Sequence, residues 1–274
     1  CVFSAVNCLA VWVGGKTQTF LTALKIFLVL GLSLSLLGFS NTGSVSHLGE
    51  GARGFSQWSA FGMAVLSALW AFDGWNNLPM AAGEVENPAR TIPMSLLLGV
   101  LAVFGIYALA NLAYFYALPL PEILSANSKV NPTAPPVAAL AATTVFGPFA
   151  MALLAGAMMV SALGAMNGSI LTSSRIPYAM ARDGIFPEVF GRLSGRSQVP
   201  VISVLLQGLW ACVLALSGTF DQLTDWVVFA SWIFYALCGF SLLLFRRRRG
   251  VTGLHYSVPF YPLLPLLFCF LAVL

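Results

Sequence analysis

The sequence predicts an all-α polytopic membrane protein, and three observations carry that prediction. Of 274 residues, 59% are hydrophobic and 8% charged, against roughly a quarter charged in soluble domains, which excludes an ordinary soluble enzyme. The apolar residues form runs near the length that crosses a hydrocarbon core of about 30 Å. Between the runs lie stretches of Gly, Pro, Ser and charged residues. The chain opens on Cys1 within one apolar run and closes on Leu274 within another, so the expectation is an internal stretch of a longer protein. No leader peptide can be judged from such a start.

Taken in order, the runs are 1–13, 18–39, 58–82, 92–118, 137–174, 200–217, 226–245 and 258–274. A Gly14-Gly15-Lys16 turn separates the first two. The Gly/Ser-rich 40–57, the Glu84–Arg90 loop, the Pro-rich 119–136, the mixed-charge 178–199, a short 218–225 and Arg246–Arg249 separate the others. Lys and Arg are enriched in cytoplasmic loops near span ends. One side of this arrangement collects Lys16, Arg90, Arg175, Arg182, Arg192, Arg196 and Arg246 through Arg249, and the other only Arg53 and Lys129. The bias predicts that loops 14–16, 84–90, 175–199 and 246–257 are cytoplasmic. Trp58 and Trp226 then fall at outer ends, where indoles anchor.

Several polar features read plainly. Arg246–Arg249 abuts an apolar run and is a topology anchor rather than a nucleic-acid or lipid patch, so the expected surroundings are a lipid bilayer and no nucleic acid. Cys1, Cys8, Cys212, Cys238 and Cys269 lack metal-ligand spacing and read as small packing residues. His47 and His255 lie in loops without partner spacing, so neither a metal nor a cofactor is expected.

Ionisable and polar residues inside a bilayer are costly and mark sites or pathways, and three segments carry them. In Trp70-Ala71-Phe72-Asp73-Gly74-Trp75-Asn76-Asn77-Leu78-Pro79, an Asp, a Gly, two Asn and a Pro weaken the helical ladder at mid-span. Unwound backbone at that depth is tolerated where it is buried in protein or lines a cavity. The segment therefore predicts a broken helix whose free N–H and C=O groups face a polar ligand, with a Pro-kinked helix capped by Asp73 as the plainer reading. Lys25 lies about 13 Å along a helix from Lys16 at roughly 1.5 Å per residue. It either snorkels to the interface or serves as a fixed cation or proton carrier. In Ser161–Arg175, Gly164 and Gly168 make a smooth face, and Ser161, Asn167, Ser169, Thr172 and Ser173 add ligands that equally serve as packing glue.

Phe72-Asp73-Gly74-Trp75-Asn76, followed by Gly83-Glu84-Val85-Glu86-Asn87-Pro88-Ala89-Arg90-Thr91-Ile92-Pro93, resembles the broken sixth helix and next loop of the amino acid–polyamine–organocation superfamily. Asn167-Gly168-Ser169-Ile170-Leu171-Thr172-Ser173-Ser174-Arg175, then Ala181-Arg182-Asp183-Gly184 and Phe186-Pro187, resembles its eighth helix and exit loop. The match is most like the L-type amino acid transporters and their bacterial relatives, and it covers the chain from the end of helix four into helix eleven. The resemblance implies a partial leucine-transporter-like inverted-repeat fold with helices five to ten complete. Residues 1–39 would be the end of helix four and helix five, 40–245 the second repeat, and 246–274 a basic loop and the start of helix eleven.

By the same resemblance, carbonyls around Trp70–Asn76 receive a substrate ammonium, Trp70 is an aromatic lid, Asn76 braces the unwound turn, and Ser231 and Trp232 line the pocket. Lys25 matches a lysine that takes the place of a sodium ion in sodium-independent relatives, with Ser169 its eighth-helix neighbour and Asn167 beside them. Asp73 stands where some L-type members have Gly, which favours a polyamine or cationic substrate. The implied activity is secondary active amino acid transport by alternating access, coupled by exchange or protons, in the plasma membrane. The accessory glycoprotein subunit of animal light chains attaches through a segment outside this sequence, and a stand-alone permease is expected. An enzyme is poorly supplied here, with one Asp, one Lys and no His in the spans. A structural membrane protein would have no need of Asp73, Gly74 and Pro79 in mid-span.

Overall fold

The computed structural model describes residues 2–49, 71–127, 131, 133–195, 197–249 and 258–273, with positions 61, 62, 64, 65 and 68; the side chains of 220, 221, 249 and 273 are excepted. The expectations for Trp58, Trp70, Arg53, Lys129, Arg196 and His255 lie outside these residues. The regular elements among the described residues are all helical: α1 Val2–Leu9, α2 Val11–Phe39, α3 Asn77–Met80, α4 Pro88–Ala117, α5 Leu120–Ser125, α6 Val137–Phe146, α7 Ala150–Ser173, α8 Arg175–Arg182, α9 Val201–Ser217, α10 Phe220–Arg249 and α11 Leu263–Val273, with short 3₁₀ turns between some of them. Among the described residues, four stretches are long and apolar enough to cross a membrane: Val11–Phe39, Pro88–Ala117, Val137–Arg182 and Gln222–Arg248.

Element ends follow local chemistry, and in several places that chemistry moves a boundary. The turn expected at Gly14-Gly15-Lys16 is absent, because α2 runs through it and the chain breaks at Ala10, whose backbone is extended (φ −168°, ψ 152°). Gly14 serves close approach instead: a β-carbon there would lie 2.5 Å from Asn7 Oδ1 and 3.1 Å from Leu171 Cδ1. Helix α10 begins at Phe220 rather than 226. Thr219 N–H donates to Gln222 Oε1 (3.2 Å) and Gln222 N–H to Thr219 Oγ1 (3.4 Å), a reciprocal capping box. The same helix carries Arg246–Arg249 as its last turn, where cations suit the C-terminal dipole. The expected 137–174 run is divided at Gly147-Pro148-Phe149, where Gly147 takes φ 54°, a left-handed conformation that a β-carbon disfavours.

Helix α2 packs on α7 and α4, α10 on α11, and α1 against α2, α7 and α9. The buried apolar cluster is small-residue packing: Leu36 of α2 meets Ala113 and Ala117 of α4, Leu118, and Ala141 of α6. Alanine lets helices approach closely where lipid supplies no hydrophobic drive for association. Large apolar side chains such as Phe104, Leu209 and Phe229 point outward, 62%, 64% and 72% exposed. Such faces suit hydrocarbon.

Candidate functional site

One face of α7 organises the polar groups. Gly164, Asn167, Gly168, Leu171 and Thr172, with Arg175 just beyond, recur at three- and four-residue spacing and form a single stripe. Along it α2 passes antiparallel. A β-carbon at Gly168 would lie 3.2 Å from Gln18 Nε2, and one at Gly164 would lie 3.4 Å from Leu21 Cβ and 3.8 Å from Lys25 Nζ. The two glycines thus admit the long polar side chains of α2.

Asn167 is fully buried and bonded on both sides of its amide. Its Oδ1 accepts from Asn7 Nδ2 at 2.9 Å, and its Nδ2 donates to Gln18 Oε1 at 2.9 Å and to the Gly14 carbonyl at 3.3 Å. Asn7 Nδ2 also donates to the Phe3 carbonyl at 2.8 Å. Three carboxamides therefore tie α1, α2 and α7 together at membrane depth. Lys25 is half-buried against Gly164, and no hydrogen bond or carboxylate partners it among the described residues. Ser169, expected beside it, is exposed on the neighbouring face of α7. One turn later on that face, Ser173 Oγ meets Gln207 Nε2 of α9.

At the far end of the stripe the chain unwinds. Residues 72–76 form a turn between the helical residue Ala71 and α3. Gly74 takes φ 112°, which only glycine adopts readily. The Asn77 N–H bonds the Gly74 carbonyl (3.2 Å), and the Ala71 carbonyl is taken by the Tyr107 hydroxyl (2.9 Å). Among the described residues, the carbonyls of Phe72 and Asp73 meet no donor. The expected broken helix is present, and two adjacent residues in it hold carbonyls that no described donor meets.

Side chains around the turn come from three directions. The Phe72 ring meets Tyr107 edge-on at 5.2 Å. Trp75 sits 5.6 Å from the Tyr235 ring and 6.3 Å from Phe268 of α11, while Trp232 meets Tyr235 at 5.8 Å. Tyr235 also donates its hydroxyl to Asp73 Oδ1 at 3.2 Å. Trp232 thus reaches the break through Tyr235, and Ser231 is one turn before Tyr235. On the α4 side a hollow of about 300 Å³ is lined by Phe72, Asp73, Gly74, Leu96, Gly99 and Tyr107. The described contacts give the brace of the turn to Asn77, which accepts from Thr172 Oγ1 at 3.5 Å, while Asn76 Oδ1 is buried with no donor.

Tyr107, Tyr235, Phe268, Asn7 and Gln18 were not singled out from the sequence. Tyr235 carried a readable signal, three and four residues after Trp232 and Ser231, hence on the same helical face. The other four are ordinary span residues until their neighbours are known.

Apolar spans, an amide-bonded scaffold helix and an unwound segment define a class: an integral membrane protein with a broken helix among its apolar ones. The chain belongs to the amino acid permease family, whose model matches residues 1–274. It is 30% identical over 259 residues to the b(0,+)-type amino acid transporter 1 of Homo sapiens, covering 93% of this chain and 51% of that one. It is 32% identical over 209 residues to the serine/threonine exchanger SteT of Bacillus subtilis, covering 76% and 46%. With the cystine/glutamate transporter of Homo sapiens it shares 27% over 270 residues, 98% and 52% of the two chains. The chain spans about half the length of the curated relatives it matches.

Proposed function

We propose that the full-length protein is a secondary active, sodium-independent amino acid transporter working by alternating access in the plasma membrane. The observation that carries this reading is the break at Phe72–Asn76, with two adjacent carbonyls that no described donor meets. Free carbonyls at membrane depth suit an ammonium group, and binding sites of secondary transporters form where helices are discontinuous near the bilayer midplane. Phe72, Asp73, Gly74, Trp75 and Asn76 supply the backbone and shape of this half of the site. Trp70 is its lid, and Ser231 and Trp232 line it from α10. The remaining half belongs to a first helix outside this sequence, and residues 40–245 form the second inverted repeat.

Lys25 is the coupling cation in this scheme, held beside the Asn167 stripe, with Ser169 on the adjacent face. Two of the relatives are named for exchange or for paired substrates, a serine/threonine exchanger and a cystine/glutamate transporter. Exchange is accordingly the preferred coupling, with proton symport as the other mode. Loops 14–16, 84–90, 175–199 and 246–257 take the cytoplasmic side, Lys16 and Arg246–Arg249 doing so from within helices. The transporter acts without an accessory glycoprotein.

Asp73 favours a second reading, a permease for cationic amino acids or polyamines. Its carboxylate sits in the turn and lines the same hollow as Phe72 and Gly74.

Uptake of labelled amino acids into proteoliposomes without sodium, with and without internal amino acid, tests the first reading. Uptake that rises with internal substrate is expected, and silence across a broad panel rejects it. Competition by arginine or putrescine against neutral amino acids decides between the two readings. Lys25→Ala is expected to slow uptake by at least about tenfold with folding intact, as befits a functional intramembrane ion. Wild-type rates in that variant remove Lys25 from the mechanism.

A further inference from the structure

The mechanism above leaves one buried charge unused. Arg175 begins α8, directly after the end of α7, and is 6% exposed. Its Nε donates to Glu84 Oε1 at 2.9 Å and its Nη2 to Glu84 Oε2 at 3.2 Å. This two-point pairing is the geometry in which a guanidinium holds a carboxylate best. Nη1 donates to the Leu171 carbonyl and to Ser174 Oγ. It is the single ion pair among the described residues, and it joins positions 91 apart in sequence.

The two partners are unequally held. Arg175 is also bonded to the Leu171 carbonyl of α7 and to Ser174 just after it, contacts that do not involve Glu84. Glu84 lies on the 3₁₀ turn Ala82–Glu84, on the arm that follows the helix break, and its side chain is 38% exposed. Parting the two gives Glu84 back to water readily but leaves a buried guanidinium short of its counter-ion, which is strongly unfavourable. Behind the pair lies a cavity of about 430 Å³, lined by Met80, Ala81, Glu84, Arg175, Tyr178 and Gln198. Movement of the arm away from α7 would open that cavity and separate the pair in one step.

We infer that Glu84 and Arg175 are a positioning pair: a latch that holds the arm after the break against α7 in this conformation, with Glu84 the moving partner, and that parts during the transport cycle. The inference rests on the alternating-access reading above. Its test uses the full-length protein in proteoliposomes carrying Ala81→Cys, a half-buried position in the cavity wall. Labelling by a membrane-impermeant thiol reagent is measured against the same protein without the added cysteine, alongside uptake. Glu84→Gln keeps the shape and removes the charge, and labelling is expected to accelerate about five- to tenfold, as a two-point ionic fork is reduced to a single hydrogen bond from the guanidinium to the Gln carbonyl. Glu84→Asp, which keeps the charge, is expected to stay within about twofold of wild type on the same ground.

A second measurement needs no change at Glu84. In the Ala81→Cys protein, saturating transported amino acid should shift the labelling rate, because substrate redistributes the two arm positions. If wild-type vesicles transport nothing, the transport reading fails. If they transport normally, yet Glu84→Gln labels at the wild-type rate or substrate leaves labelling unmoved, the latch is overturned and the pair only pins the fold.

Discussion

The face of α7 from Gly164 to Thr172 and the turn from Phe72 to Asn76 both place polar groups among apolar helices, yet they dispose of them in opposite ways. On α7 the Asn167 carboxamide is fully buried and both its nitrogen and its oxygen are bonded, to Asn7, Gln18 and the Gly14 carbonyl. Asn7 Oδ1 is the one acceptor of that network left without a donor, and it closes on Gly14. In the turn, the Phe72 and Asp73 carbonyls meet no donor among the described residues, and Trp75 remains 42% exposed. A polar group whose hydrogen-bonding capacity is filled internally is scaffold. One left with capacity at membrane depth awaits a ligand or water. The difference separates glue from site more sharply than residue type does, since asparagine occurs in both.

Changes to the scaffold should act on stability, and these are the largest effects expected. Asn167→Leu removes an acceptor from Asn7 and a donor from Gln18 and Gly14, leaving buried groups unpaired at about 1–3 kcal/mol each. Thermal unfolding of the detergent-solubilised protein should drop by several degrees, and substrate should not restore it. Gly14→Ala should behave alike, because its β-carbon would fall 2.5 Å from Asn7 Oδ1. A wild-type melting temperature in both would mean that the network is not what holds α1 and α2 to α7.

Changes to the turn should act on transport with little loss of fold. Gly74→Ala forces a β-carbon into φ 112°, a strain of about 1–3 kcal/mol. Because the described backbone bonding within the turn is the Asn77 N–H to Gly74 carbonyl contact, its backbone can relax, and relaxation misplaces the two carbonyls. Uptake is expected to fall about tenfold while the melting temperature of the substrate-free protein moves less than in Asn167→Leu, the strain converting to roughly that factor. Equal melting losses in the two variants would erase the distinction between them.

How far the sequence reveals this division depends on whether the cue is local. The break is legible because Asp73, Gly74, Asn76, Asn77 and Pro79 stand together, and Gly74 does take the left-handed backbone. Gly164 and Gly168 are legible as close-approach positions from their spacing alone. The same logic fails at Gly14-Gly15-Lys16, where two glycines and a lysine look like a turn. Gly14 is there because Asn7 and Leu171 crowd it, and neither neighbour is near in the sequence or marked by a pattern. Glu84 and Arg175 each sit in a recognisable motif, but their pairing depends on how the arm folds back across α7. The Thr219–Gln222 capping box was readable, and it explains why α10 starts earlier than its apolar run.

The smallest effect concerns Asp73, where scaffold and site meet. Tyr235 holds one of its oxygens at 3.2 Å, and removing that hydroxyl separates the carboxylate's orientation from its charge. Tyr235→Phe keeps the ring that packs on Trp75 and Trp232, so the aromatic cluster survives and stability should change by less than about 1 kcal/mol. If Asp73 is a structural cap, that is the whole consequence and apparent substrate affinity stays put. If Asp73 faces the substrate, freeing it alters KM by a few-fold and leaves the maximal rate nearly constant, the signature of lost ground-state binding. A shift in KM for cationic but not neutral amino acids would assign the carboxylate to the substrate side chain. An equal shift for both would assign it to the turn that presents the carbonyls.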